Sequence, residues 1–215
     1  FVTDEAWDAA PQRVLDLRAR GHEIGSHGLR HDQRLARLPP AAQARRLARC
    51  AARLEAVQGV AFRSPDRVRD ARLRAAVATH FAVDSSTCDT DLERARGLTT
   101  VVPFWRWGAL QVPITLPMES SIPYARFRPG GVWRLWQEKL AWIRALRGVA
   151  VLAIHAEPEL AGSARYATPF LRLIQQLARD PEVIPMSLSD LAARWPRPGL
   201  AAETTTPSGG PAPAP

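Results

Sequence analysis

Short apolar runs alternate with helical stretches along nearly the whole of this chain, and that alternation restricts the folds open to it. Phe1-Val2-Thr3, residues 22–27, Val60-Ala61-Phe62, Phe81-Ala82-Val83, Val149-Ala150-Val151-Leu152-Ala153-Ile154 and Val183-Ile184-Pro185-Met186 read as strands. Between them, apolar residues recur at near-helical spacing from Trp7 to a stop at Gly21, from Ala41 to Val57, from Arg67 to Thr79, from Val132 to Leu146 and from Pro169 to Arg179, with a short helix at Leu188 to Trp195. Two further strand-like runs, residues 99–104 and 110–114, are kept short by Pro103 and Pro113 and flank an aromatic loop with Trp105 and Trp107. Strand followed by helix is the pattern of an α/β protein with a parallel sheet. With no G-x-G-x-x-G, a (β/α) barrel is favoured over an open doubly wound sheet.

The 215 residues, 46% of them hydrophobic and seven of them tryptophan, suffice for one domain with a sizeable core, expected over residues 1–195. From Pro196 the composition turns to Pro, Gly, Thr, Ser and Ala, and residues 196–215 read as a disordered tail. The formal charge of +8 is almost entirely arginine, since Lys139 is the only lysine. Those arginines lie among alanines on helices, as solvated faces, and no nucleic-acid partner is expected. Cys50 and Cys88 form neither a disulfide framework nor a C-x-x-C metal site. No run reaches the roughly 18 apolar residues of a membrane span, and no signal peptide is present within the stretch.

Polar residues collect where the strands empty into loops. Gly21-His22-Glu23-Ile24-Gly25-Ser26-His27 is followed by His31, and two imidazoles four residues apart can face one divalent cation. Arg63 follows Val60-Ala61-Phe62, Asp84 follows Phe81-Ala82-Val83, and His155 follows Val149 to Ile154. In a barrel of parallel strands such exits share one face, so four loops converge on one site. By strand alternation His22 points away from that exit and reads as a structural histidine.

In this order, the His22 to His31 run, Phe62-Arg63-Ser64-Pro65, Asp84-Ser85-Ser86 and Leu152-Ala153-Ile154-His155 resemble the motifs of the polysaccharide deacetylases, the NodB-homology enzymes of carbohydrate esterase family four. The resemblance covers about residues 1–195 and implies a deformed (β/α) barrel with a divalent metal, most often zinc, held by one aspartate and two histidines. His27 and His31 match those histidines, and His155 matches the acid that protonates the departing amine. Arg63 matches the arginine that orients a base aspartate, and Asp84 is the candidate carboxylate for keeping the His155 imidazole protonated. The implied reaction is hydrolysis of N-acetyl groups on a carbohydrate, with an envelope or secreted location.

One family motif is missing. The Thr-Phe-Asp-Asp stretch that supplies the base and the third ligand from the first strand precedes the part that Phe1-Val2-Thr3 resembles, and Asp4 follows the second strand. Because the sequence also starts without methionine, it is expected to be truncated, with its first strand absent. Asp66 and Ala156 depart from the residues common after the arginine and the acid histidine, which leaves polymer preference open. Two other functions fit the pattern: a small-molecule amide hydrolase on the same scaffold, and a carbohydrate-binding relative that has lost its aspartates.

Overall fold

The computed structural model describes residues 1–32, 34–65, 70–89, 100–118, 129–155, 157–159 and 162–197. Asp66, Asp91, Tyr124, Ala156 and the tail from residue 198 lie outside the described residues. The elements in order are α1 (Asp4–Ala9), α2 (Pro11–Ala19), α3 (Arg34–Arg37), α4 (Pro40–Glu55), β1 (Ala61–Phe62), α5 (Ala71–Ala78), β2 (Val83–Asp84), β3 (Phe104–Arg106), β4 (Ala109–Gln111), α6 (Pro129–Ala145), α7 (Ala164–Ala178) and α8 (Leu188–Arg194).

The parallel sheet expected from the alternation is present. β1 pairs with β2 and β2 with β4, both parallel, while single parallel bridges extend the wall from Val2 to Ser26 and from Ser26 to Phe62. On the other side Cys88 bridges Ile114 and Leu116 bridges Leu152. Together these pairings form an arc of parallel wall, a partial barrel.

Register fixes which way each side chain points. Ser26, Phe62, Asp84 and Gln111 are aligned across neighbouring strands. Phe62 packs outward into a core with Val14 of α2, Leu47 and Leu54 of α4, and Leu73 and Val77 of α5. The alternate residues Ala61, Val83 and Leu110 face the other way and pack with Leu191 of α8. A second helical core joins Trp136 and Ile143 of α6 to Leu173 of α7 and to Val101 and Leu116.

Several elements differ from the sequence expectation, each for a local reason. The helix predicted from Trp7 to Gly21 is two helices, because Pro11 disfavours helical geometry at Ala10 (φ −148°, ψ 60°) and itself opens α2. The aromatic loop is a hairpin: Phe104, Trp105 and Arg106 pair antiparallel with Gln111, Leu110 and Ala109. Its two-residue turn, Trp107-Gly108, has φ +54° and +94°, the doubly positive pattern that suits strand twist.

Among the described residues the run Val149 to Ile154, expected as a buried strand, makes a single β-bridge at Leu152, and Ile154 is 39% exposed. The Thr115 hydroxyl interrupts the ladder there, accepting from the Val151 N–H at 2.8 Å and donating to the Val149 carbonyl at 2.9 Å. Val183 to Met186 forms no strand either: Pro185 has no N–H to donate, and Ile184 is 70% exposed.

Candidate functional site

His27 leaves the wall one residue after the Ser26 bridge and is locked from both sides. Its N–H donates to the Val2 carbonyl at 2.8 Å, and its ring Nδ1 lies 2.7 Å from the Arg63 carbonyl. A carbonyl can only accept, so Nδ1 carries the proton and the lone pair is on Nε2. Gly28 then turns the chain at φ +81°. That turn brings the exposed His31 back until its ring centroid is 5.1 Å from that of His27, the two planes inclined by 58°. Burial pushes the His27 imidazole down to about 4, with the neighbouring His31 adding in the same direction, so the ring is neutral at physiological pH.

Arg63, the next strand exit, points to the inner side of the wall. Its Nε donates to the Ser85 carbonyl at 3.0 Å and a terminal nitrogen to the Ser85 hydroxyl at 2.9 Å, while the guanidinium lies 4.2 Å from the centroid of the Phe1 ring. Desolvation lowers its pKa to about 10, so it stays cationic. Ser64 and Ser86 complete this rim, the Ser64 N–H donating to the Ser86 hydroxyl at 2.9 Å. Ser85 lay inside a recognised motif without a role; its contact with Arg63 depends on strand register, which sequence spacing does not carry.

Asp84 has different surroundings from those expected. It shares its sheet face with Phe62 and Gln111, toward the helices, and is 1% exposed. Its Oδ2 is 3.5 Å from Nε of Arg74 on α5, and its Oδ1 accepts from the Ser86 N–H at 3.0 Å and from the Ser86 hydroxyl. A second nitrogen of Arg74 donates to Gln111 Oε1. Burial raises the Asp84 pKa, and Ser86 and Arg74 oppose that rise. These contacts fasten α5 to the sheet. Asp89, five residues further on, is paired with Lys139. His155 itself is half-buried, three residues past the Leu152 bridge. His22, expected to be structural, is exposed.

The structure therefore brings together His27, His31 and Arg63, and sets Asp84 on the far face of the sheet. Two imidazoles, one with its Nδ1 already committed, fit two positions of a zinc site. Among the described residues no group of three His, Cys, Asp or Glu is assembled.

Residues 1–80 match the family model described as polysaccharide deacetylase. Over those residues the chain is similar to the polysaccharide deacetylases. Its fold is similar to that of a putative polysaccharide deacetylase from Mycobacterium smegmatis, with a TM-score of 0.72 and 21% identity over 90% of this chain and 69% of that one. A probable polysaccharide deacetylase from Pseudomonas aeruginosa PAO1 is similar at TM-score 0.72 and 19% identity, covering 91% of this chain and 66% of that one. Puue allantoinase gives the same TM-score of 0.72 at 18% identity, again with 91% and 66% covered. The chain thus spans about two thirds of the length of these structures, and at such identities the likeness concerns the fold. A search of the curated proteins finds no significant match.

Proposed function

We propose that this chain is a metal-dependent hydrolase that removes acetyl groups from N-acetylated sugars of an envelope or exported glycan. The observation that carries the reading is the Nδ1 contact of His27 with the Arg63 carbonyl, which leaves Nε2 as a ligand beside His31. His27 and His31 would hold the ion. A divalent cation bound there would acidify a water and polarise the acetyl carbonyl. Arg63, cationic and held by Ser85, would orient an acidic base through charge-assisted hydrogen bonds, and His155 would deliver a proton to the leaving amine nitrogen. The fold match to Puue allantoinase supports a second reading, hydrolysis of a small cyclic or linear amide on the same scaffold.

The test measures bound zinc and product release for this chain and for any longer product of its reading frame, each with His27→Ala as control. Acetate from N-acetylated chitooligosaccharides, lost together with zinc in the variant, is the expected result. Release from small amides but not from sugars would select the second reading. A full-length product with neither zinc nor turnover would leave a carbohydrate-binding relative.

A further inference from the structure

A groove of about 580 Å³ lies between α6 and α7, lined by Trp133, Arg172, Gln175, Gln176, Arg179 and Asp180. None of these residues belongs to the cluster around His27. Among the described residues the lining is one indole, two amides, two guanidinium groups and a carboxylate. An acyl chain or the apolar face of a peptide helix would find a single indole to bury against there. A hydroxyl-rich ring with one apolar face would find an aromatic surface flanked by planar hydrogen-bonding groups.

The groove is also organised in advance. Trp133 packs on the Trp136 and Leu173 core, with the Arg172 guanidinium 4.6 Å from its ring centroid. An arginine stacked in this way keeps N–H donors for a planar acceptor such as a carboxylate. Gln176 exchanges two amide hydrogen bonds with Gln137, at 3.1 and 2.9 Å. Arg144 takes the carboxylate of Asp180. With that acid engaged, Arg172 and Arg179 set the sign of the surface, and it is positive. Groups fixed before the ligand arrives lose little freedom on binding.

We propose that this groove is a second glycan site, specific for a sugar residue bearing a carboxylate. The proposal rests on the reading of the chain as a glycan hydrolase and deepens it. A polymer held here and at the His27 cluster would gain effective concentration at the second site from the first. The substrate class so named is an acidic polysaccharide.

Titration calorimetry on the whole chain tests this, with tetragalacturonate as the acidic probe. Chitotetraose serves as the neutral probe and a single-stranded DNA oligonucleotide as a non-glycan polyanion. Tetragalacturonate should bind, chitotetraose at least tenfold more weakly. The exposed pair Arg172→Gln/Arg179→Gln should weaken tetragalacturonate at least tenfold with an unchanged thermal midpoint, whereas His27→Ala should leave that affinity intact. The proposal is overturned by any of four results: no tetragalacturonate binding at millimolar concentration, undiminished binding to the double variant, loss of binding in His27→Ala, or preference for the oligonucleotide. Acetate release is scored separately on short sugars. A groove that binds acidic sugar in a protein that releases no acetate keeps this site and removes the deacetylase reading, and the reverse result does the opposite.

Discussion

At the scale of single residues, burial decides what each titratable group is able to do. Cys50, on the buried face of α4 and beside Asp4, has its thiol pushed up to about 11, first by desolvation and then by the Asp4 charge. The thiol stays protonated at pH 8, and the nucleophile in alkylation is the thiolate. Iodoacetamide should therefore modify Cys50 in the folded protein about two orders of magnitude more slowly than in the urea-unfolded chain, the rate rising with pH until about 11. Equal rates at pH 8, followed by mass spectrometry, would show that the thiol is not held in this environment. Asp84 and Arg74 form the other buried pair. Asp84→Ala leaves the Arg74 cation buried without its carboxylate and should cost about 3 kcal/mol in urea titration, since removing one partner of a buried pair exposes the full desolvation penalty of the other. Asp84→Leu with Arg74→Leu should recover most of that loss. A role limited to tuning His155 would instead leave stability unchanged.

Among the elements, short connections hold the site. Gly28 sits at φ +81°, where a Cβ meets its own backbone, and Gly28→Ala should cost about 1–2 kcal/mol and separate the two imidazoles, lowering zinc affinity more than Leu47→Ala does. Leu47→Ala, in the middle of the α4 core, should cost about 3 kcal/mol by cavity formation while leaving the histidines in place. Zinc titration of both variants separates the turn from the core. The last helix is tied to the first half of the chain by a carboxylate: Glu23 Oε2 accepts from the Leu188 N–H at 2.6 Å and the Ser189 N–H at 3.3 Å, as an N-terminal cap contributed from 165 residues away. Glu23→Ala should cost about 1 kcal/mol, and circular dichroism should show the loss of one helical turn or more.

For the molecule as a whole, no strand pairs with Val183 to Met186 among the described residues. Ile184 and Met186 are 70% and 41% exposed, and Glu23 Oε1 is buried without a hydrogen-bond partner. Hydrogen exchange should find the Ile184 and Met186 amides fast, while those of Leu110 and Val112, bonded to the Ala82 and Asp84 carbonyls at 2.8 and 2.9 Å, exchange slowly. If a longer product of the reading frame adds a strand beside this run, the Ile184 and Met186 amides should become protected in it. Unchanged fast exchange in that longer product would mean that no strand pairs with this run.

The amino-acid sequence by itself determined the alternation of strands and helices, the parallel sheet and the rim where His27, His31 and Arg63 meet, because period and motif order are local properties that one stretch of chain carries alone. It also contained the resemblance that residues 1–80 bear out. Only the tertiary structure decided which polar residues share a face. Asp84 and Ser85 are neighbours in one motif, yet one braces α5 and the other holds Arg63, because a single step along a strand reverses the side chain. The same holds for Val149 to Ile154 and Val183 to Met186, whose β-branched residues suit a strand that pairs only where a neighbour presents free backbone groups. Thr115 removes such groups from one run, and Pro185 removes a donor from the other.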